Sequence, residues 1–312
     1  MYIGIDVGGT NLKAGLTDAN GKILTTARTP LAFQGPETFA ETLANLARNV
    51  MQQADIEPKD VEYVGIGIPG AVKNGEILYT ANIPMRNVPL ENLFRQHLDL
   101  PVLLGNDADC AAAGEYLCGA GNGSRNFIIL TLGTGIGGGI ILDGKLQSGM
   151  GCGGEVGHMV IVRDGVPCNC GRRGCWEAYA SATGLIRLTR EAMTMHPESL
   201  LHELAAEQGG VEGRTAFQAA EQGDQTAQDI CLDYVSYLAT GVINLVNVLQ
   251  PEIVAIGGGV AAAPENLLLT PLQEMVKTEC YGRHVGQFPN IVRAVLGNDA
   301  GIIGAALLKR IL

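Results

Sequence analysis

Hydrophobic and polar positions alternate at the start of the chain in a way that is typical of a β-meander. The apolar run Tyr2–Val7 predicts a strand, and after a glycine break the segment Lys13–Thr17 predicts a second one. Asn20-Gly21 is a tight-turn dipeptide that leads into a third strand at Lys22–Leu24. The pattern therefore predicts three antiparallel strands joined by short turns.

The same design recurs near the middle of the chain. The apolar run Phe127–Leu132 leads through a glycine-rich segment into Gly139–Leu142. Asp143-Gly144 then turns the chain into Lys145-Leu146, as Asn20-Gly21 does in the first copy. The sequence thus repeats one strand-hairpin design.

A second echo involves two Leu-Gly-Asn-Asp-Ala segments. They are Leu104–Ala108 and Leu296–Ala300, and each precedes a predicted helix, the later one over Ile302–Leu312. Two different echoes in the same order favour duplicated α/β halves that face each other across a cleft. The lobes expected from this duplication are residues 1–118 with 300–312 and residues 119–299.

The segments between these landmarks follow simpler patterns. Helical spacing covers Pro36–Ala54, and Tyr63–Pro69 alternates like a strand. The region from 182 to 249 is mostly helical, and Asp229–Leu249 is predicted as the longest helix. The apolar run that follows ends in Gly257-Gly258-Gly259, ahead of a further predicted helix.

Composition narrows the class of protein. The 312 residues are 46% hydrophobic, enough for two ordinary domains, and the net charge is −11. Such acidity argues against nucleic-acid or anionic-membrane partners, which require clustered Lys and Arg. The N-terminus lacks the basic segment of a signal peptide, and no apolar run approaches the roughly 20 residues of a membrane span. We therefore expect a cytoplasmic protein with a small partner.

The turn after the first strand is a candidate phosphate-binding loop. Gly8 and Gly9 allow backbone N–H groups to approach phosphate oxygens, and Thr10 and Lys13 add donors. Asp6, at the end of a buried strand beside this loop, is well placed to hold a hydrated Mg²⁺. A plain hairpin turn is the alternative interpretation.

Three other glycine runs need separate judgement. Residues 133–138 and 65–70 both match G-x-G-x-x-G, but both continue into strand rather than opening a helix, which excludes the dinucleotide fingerprint. Gly258 and Gly259 offer a bare edge that can pack against an adenine ring and ribose. Close backbone packing explains these two glycines equally well.

A cysteine cluster is the most specific signal in the sequence. Cys168, Cys170 and Cys175 fall within eight residues, and His158 lies ten residues before the first. Three thiolates and one imidazole complete the tetrahedral shell of a structural zinc, which leaves no open position for a substrate. Free thiols or a redox pair are the alternatives. A zinc ion here would fix a loop that carries Glu155 and Glu177.

Several polar residues are candidates for substrate chemistry. Asp107, just after a strand-ending Gly-Asn, can project from a helix N-terminus as a general base, with Asn106 orienting a hydroxyl. For both, an ordinary helix cap is the alternative. Glu155 and Glu177 can accept hydroxyl protons, or be solvated surface groups, and His158 can be a buried core histidine.

These motifs, in this order, resemble those of the ROK family of bacterial sugar kinases and repressors. The resemblance covers nearly the whole chain, and its most specific parts are Gly154–His158 and Cys168–Glu177. The residues that carry it are Asp6–Thr10, Gly105–Asp107, Leu132–Gly139, Gly154–His158 and Cys168–Glu177. It implies an α/β actin-like ATPase (ribonuclease H-like) fold with two lobes around a cleft and a structural zinc loop over residues 158–175.

The resemblance also implies an activity: transfer of the γ-phosphate of ATP, as its Mg²⁺ complex, to the 6-hydroxyl of glucose. Asp107 is the implied catalytic base. The implied sugar-binding residues are Gly70, Asn106, Asp107, Glu155, His158 and Glu177. The implied ATP-binding residues are Asp6, Gly8, Gly9, Thr10, Lys13, Thr134, Gly135, Gly258 and Gly259. The implied zinc ligands are His158, Cys168, Cys170 and Cys175.

Two departures from the family patterns bear on substrate and class. Repressor members carry a helix-turn-helix ahead of the kinase-like part, and Asp6 comes too early for one to fit, which favours an enzyme. Family glucokinases commonly show Asn-Leu-x-Trp where this chain has Asn82–Asn87 without tryptophan. Fructose, mannose, allose, N-acetylglucosamine and N-acetylmannosamine stay open as substrates, as do a non-catalytic sugar sensor and a partner-driven ATPase. Homodimers or homotetramers are expected from the family.

Overall fold

The computed structural model describes residues 1–80 and 83–312, so Asn82 lies outside the described residues. Within these ranges the chain forms thirteen β-strands and ten α-helices. The strands are β1 (Tyr2–Val7), β2 (Asn11–Thr17), β3 (Ile23–Pro30), β4 (Tyr63–Ile68), β5 (Gly70–Lys73), β6 (Glu76–Thr80), β7 (Arg86–Val88), β8 (Val102–Asn106), β9 (Phe127–Leu132), β10 (Ile136–Leu142), β11 (Lys145–Leu146), β12 (Ile253–Gly257) and β13 (Asn290–Arg293). The helices are α1 (Pro36–Gln53), α2 (Leu90–His97), α3 (Asp107–Cys118), α4 (Glu177–Ala180), α5 (Ala182–Met195), α6 (Leu201–Glu207), α7 (Thr215–Glu221), α8 (Gln225–Leu249), α9 (Leu269–Glu279) and α10 (Ala300–Leu307).

Two five-stranded sheets repeat one topology. Their strand orders are β3-β2-β1-β4-β8 and β11-β10-β9-β12-β13, and a small third sheet has the order β5-β6-β7. In the first sheet β1, β2 and β3 are antiparallel neighbours, while β4 and β8 run parallel to β1. In the second, β10 and β11 are antiparallel and β12 and β13 parallel. The duplication predicted from the two sequence echoes is therefore confirmed.

The chain divides into two compact units. Unit 1 comprises residues 1–129, 139–154 and 295–312, and unit 2 comprises residues 130–138 and 155–294. The functional lobes expected from the sequence, with boundaries after residues 118 and 299, stay a prediction.

In unit 1, a row of strand glycines allows helix α10 to pack closely against the first sheet. Gly15, Gly4 and Gly65 are register partners on β2, β1 and β4. A Cβ at Gly4 would lie 1.9 Å from the carbonyl oxygen of Ile302, and one at Gly65 would lie 1.8 Å from that of Ala305. Only glycine permits so close an approach of helix backbone to strand backbone. Glycines that look weak in a strand pattern therefore set the helix-sheet distance.

In unit 2, the 25-residue helix α8 is the only helix of the described ranges long and apolar enough to cross a membrane. One face of α8 is buried in the core of the unit, where Tyr234 donates a hydrogen bond to the Ala180 carbonyl. Gly241 makes room for the fully buried indole of Trp176, whose Nε1 donates to the Tyr237 carbonyl over 2.9 Å. The opposite face carries exposed polar groups, so α8 is a core helix.

Element ends differ from the sequence predictions, and three of these differences have a local cause. The helix expected after Gly259 is only a 3-10 turn at Gly259–Ala262, because Pro264 disfavours helical backbone just before it. The C-terminal helix ends at Leu307 rather than at residue 312, and the Ile311 carbonyl instead accepts a hydrogen bond from Leu146 N. Helix α8 begins at Gln225, earlier than predicted, because Asp224 caps it through Ala227 N.

Candidate active site

The predicted zinc ligands lie together in unit 2. One potential ligand atom from each of His158, Cys168, Cys170 and Cys175 falls within 4.8 Å of all the others. His158 Nδ1 is 3.7 Å from Cys168 Sγ, and Cys170 Sγ is 3.6 Å from Cys175 Sγ. A zinc–sulfur bond of about 2.3 Å gives a tetrahedron with edges of roughly 3.8 Å. The donor set and its spacing therefore fit a tetrahedral zinc ion.

Backbone turns hold this cluster in shape. Val160 pairs with Cys175 and Pro167 pairs with Arg173 as isolated antiparallel bridges. Gly174 has φ of +79°, and a Cβ on it would lie 1.7 Å from the Val162 carbonyl oxygen, so only glycine is accommodated.

The local environment sets the thiol acidities apart. The backbone N–H of Arg172 lowers the pKa of Cys170, whereas burial raises the pKa of Cys168. A thiol must lose its proton to ligate a metal, so metal binding and proton release are coupled at this cluster.

Two carboxylates flank His158. Glu177 Oε1 lies 3.0 Å from Cys168 Sγ and 3.5 Å from His158 Nδ1. Glu155 Oε2 lies 3.9 Å from His158 Nε2, on the other side of the ring. The Glu155 side chain is 54% exposed and that of Glu177 only 21%. The structure thus brings together three of the predicted sugar-binding residues, with a carboxylate facing each ring nitrogen.

Glu177 also connects the cysteine cluster to the glycine-rich loop after β9. It opens α4 directly after the buried Trp176, which fixes its backbone. A Cβ at Gly135 would lie 2.4 Å from Glu177 Oε2. The loop itself is held by α5, where Ala182 N donates to Gly133 O and Thr183 Oγ1 donates to Thr134 O. Gly135 therefore leaves the space that the carboxylate occupies.

A cavity of about 800 Å³ lies within unit 2 beside this loop. Thr134 and Gly259, both predicted to bind ATP, line it. Gly258 has φ of +81°, and a Cβ on it would meet the Leu132 backbone at 2.4 Å, so close packing accounts for this glycine. Among the described residues no atom lies within 4 Å of a Cβ at Gly259, which leaves its surface open to a ligand.

The first hairpin of unit 1 contains the predicted phosphate loop. Gly8 N donates to Asn11 O over 3.0 Å, which closes the turn, while Gly9 and Thr10 are exposed. Asp6 and Lys13 are register partners on β1 and β2. Burial raises the pKa of Asp6, and the nearby charge of Lys13 opposes this effect. A cation beside a partly buried carboxylate with a raised pKa stabilises its charged form.

Asn106 and Asp107 lie at the start of α3 in unit 1. Asn106 Oδ1 accepts from Ala108 N at 2.8 Å and from Asp109 N at 3.2 Å, and its Nδ2 donates to Gly70 O at 3.1 Å. Asn106 is therefore a helix cap and is joined to Gly70, another predicted sugar-binding residue. Asp107 is the first residue of α3 and half-buried, and its Oδ1 accepts from Ala108 N at 3.0 Å.

The sequence did not point to most of the cavity wall. Helix α7 contributes Phe217, Gln218 and Glu221, and β13 contributes Arg293, which donates to Ala263 O over 2.9 Å. In the sequence these residues follow ordinary helical or strand spacing and match no motif. Only the packing of α7 and β13 around the cavity brings them together.

Comparison with known proteins identifies the relatives of this chain. It is 40% identical to a glucokinase from Thermotoga maritima, over 97% of this chain and 95% of that protein. It is 36% identical to a glucokinase from Halalkalibacterium halodurans, over 99% and 94%. A crystal structure of a ROK family glucokinase from Streptomyces griseus with glucose and AMPPNP matches with a TM-score of 0.80 and 36% identity, covering 98% of both chains. The ROK family model matches residues 2–311, and the chain belongs to the ROK family.

Proposed function

We propose that this protein is an ATP-dependent glucokinase that transfers the γ-phosphate of ATP to the 6-hydroxyl of glucose. The observation that carries the proposal is the similarity, over nearly the full length of both chains, to a kinase solved with glucose and an ATP analogue. The cavity beside the Gly133–Gly135 loop and the carboxylates around His158 agree with a polar, multi-hydroxyl substrate and a nucleotide.

In unit 1, we assign the base to Asp107. It accepts the proton of the attacking hydroxyl as the oxygen–phosphorus bond forms and the bond to the departing ADP breaks. Asn106 and Gly70, which are hydrogen-bonded to each other, orient the sugar beside it. The backbone of Gly8 and Gly9, the hydroxyl of Thr10 and the ammonium of Lys13 donate to phosphate oxygens.

The raised pKa of Asp6 supports its assignment to Mg²⁺. When bound, Mg²⁺ neutralises the charge that develops on the phosphates, and Asp6 would hold it through its carboxylate. Because burial opposes ionisation of Asp6, a cation at this position stabilises the charged form.

In unit 2, we assign hydroxyl recognition to Glu155, His158 and Glu177. A carboxylate accepts two hydroxyl protons, and a site of paired polar groups rejects sugars that leave those groups unpaired. Thr134 and Gly135 face the phosphates, and Gly259 and its neighbour Gly258 lie beside the adenosine.

We assign zinc to His158, Cys168, Cys170 and Cys175. It would fix the loop on which Glu155 and Glu177 stand. With four protein ligands, its coordination shell is closed to a substrate, so its role is structural.

The cytoplasmic location and the homodimeric or homotetrameric state expected from the sequence belong to this proposal. The other hexoses and N-acetylhexosamines named above are the runner-up substrates, since one or two contacts read hydroxyl stereochemistry. A non-catalytic sugar sensor is the alternative from another functional class, and the presence of Asp107 argues against it.

A steady-state assay of ADP release tests the proposal. MgATP is combined with each sugar in turn and with none, and Asp107→Asn is measured alongside after circular dichroism establishes that it folds. We expect glucose to stimulate turnover most, and we expect the kcat of Asp107→Asn to be lower by at least about a thousandfold. Turnover that no sugar stimulates, or that the variant retains, would contradict the proposal.

A further inference from the structure

Helix α7 turns two polar side chains toward the 800 Å³ cavity of unit 2. Gln218 and Glu221 are one helical turn apart, and both line the cavity. Phe217 on the same helix and Val260 and Ala262 in the turn after β12 form apolar wall, and the charged residues of the lining are Arg214, Glu265 and Arg293. An apolar cavity with a small number of oriented polar groups is typical of a selective ligand site.

The orientation of the Gln218 amide is fixed by a hydrogen-bond chain that begins at a backbone group. Glu212 N donates to Thr215 Oγ1 over 2.8 Å, so the Thr215 hydroxyl proton is free to go to Gln208 Oε1, 2.5 Å away. Gln208 Nε2 in turn donates to Gln218 Oε1 over 2.7 Å. Gln218 Oε1 is therefore the end of this amide that Gln208 engages.

The consequence is that the Gln218 Nε2 donors are left for a ligand. Its oxygen is occupied by Gln208, and its Nε2 has no protein acceptor within residues 1–80 and 83–312. Glu221 makes no ion pair within the same ranges, and its carboxylate is an acceptor. Gln218 and Glu221 therefore present a donor beside an acceptor, and Arg214 at the start of α7 lines the same cavity.

A second recess of about 580 Å³ shares Gln218, Glu221 and Arg214 with the cavity. The rest of its lining is almost entirely polar, and it includes Glu207 and Gln222. A planar aromatic base gains from apolar walls on its faces, and only the cavity provides them. The cavity, and not the recess, is therefore suited to a base.

We propose that Gln218 and Glu221 select the purine base of the phosphoryl donor, an inference that rests on the kinase function proposed above. On adenine, a 6-amino donor stands next to a ring nitrogen that accepts, which complements the acceptor of Glu221 and the donor of Gln218. Guanine and hypoxanthine carry an oxygen at position 6, which would face the Glu221 carboxylate acceptor to acceptor. The pair thereby favours ATP over GTP and ITP.

The test compares kcat/KM for ATP and ITP at saturating glucose. ITP is the sharper probe because hypoxanthine has the 6-oxygen and the N1–H of guanine without its 2-amino group. We expect the wild-type protein to prefer ATP by at least about tenfold, because the 6-oxygen facing Glu221 and the N1–H facing Gln218 are both mispaired, and the exposure of Glu221 limits the size of the effect. In Glu221→Gln the ATP-to-ITP ratio should fall about tenfold, because an amide both accepts from the amino group and donates to the oxygen.

A second variant and two matched controls separate recognition from structural damage. Gln218→Met keeps the length of the side chain but removes the donor, and it should raise KM for ATP about tenfold. Glu207→Gln and Gln222→Met make the same changes at residues that line only the second recess, and should leave both the ratio and the KM unchanged. Damage to the fold lowers turnover with ATP and ITP alike and leaves the ratio unchanged.

The outcomes also separate this inference from the function on which it rests. Glucose-dependent turnover with an ATP-to-ITP ratio that Glu221→Gln leaves unaltered would overturn the role of the α7 pair and retain the kinase. Absence of glucose-dependent turnover with either nucleotide would instead overturn the proposed function. A wild-type ratio near one would also refute the base selection.

Discussion

Gly135→Ala tests whether the position of the Glu177 carboxylate matters to the sugar. The new methyl carbon would lie 2.4 Å from Glu177 Oε2, so the carboxylate must retreat by about 1 Å to reach an ordinary contact. It cannot do so freely, because Oε1 of the same carboxylate is within 3.5 Å of both Cys168 Sγ and His158 Nδ1. A misplacement of about 1 Å in a positioning group costs up to about a hundredfold in rate. We therefore expect kcat/KM for glucose to fall between about ten- and a hundredfold.

Steady-state kinetics with glucose varied at saturating MgATP measures this effect. Thermal melting of the variant should match the wild type, since the clash is with the end of one side chain and not with backbone. Gly133→Ala is the neighbouring control, because a Cβ there has no atom within 4 Å and faces the nucleotide cavity. It should leave KM for glucose unchanged and affect at most KM for ATP. Wild-type kcat/KM for glucose in Gly135→Ala would refute the assigned role of Glu177.

Three further variants, the first with a matched control, probe metal, charge and packing. Cys175→Ser should lose the one zinc per chain that elemental mass spectrometry is expected to find in the wild type, and Cys280→Ser, another buried thiol, should keep it. The pKa of Asp6 is raised in the fold, so ionisation of its carboxyl destabilises the folded state. This destabilisation is absent below the ordinary pKa of 3.8 and complete above the folded pKa. Asp6→Asn should therefore raise the melting temperature of the nucleotide-free protein at pH 7.5, and the increase should shrink toward pH 4. Turnover of the variant should fall. An equal increase in melting temperature at all pH values would contradict this. Gly304→Ala would bring a Cβ within 1.6 Å of Cys110 O and should cost about 1–3 kcal/mol in urea unfolding, and an unchanged midpoint would show that α10 can shift from α3.

The sequence predicted the features that depend on local chemistry. Strand alternation with Asn-Gly and Asp-Gly turns located both hairpins, and the two echoes revealed the duplicated sheets. The cysteine spacing with His158 predicted a cluster that the fold does bring together. Each of these signals is contained in a few neighbouring residues, which is why it could be read without a structure.

Features that depend on packing between distant segments could not be predicted in this way. Gly4 and Gly65 look like unfavourable strand residues until α10 is seen against them. Gln218 looks like an ordinary helix residue, and the direction of its amide depends on Gln208, which follows the end of α6. The double use of Asn106, as a cap and as a partner of Gly70, likewise requires two segments 36 residues apart.

The most direct test of the central claim is to identify the bond that forms. Purified protein is incubated with MgATP and ¹³C-labelled glucose, and the product is analysed by phosphorus–carbon correlation in NMR. The account predicts one phosphate, coupled to carbon 6 of glucose, formed in equal amount to ADP and absent with Asp107→Asn. Phosphate on another carbon, or ADP released with free phosphate and unmodified glucose, would contradict it.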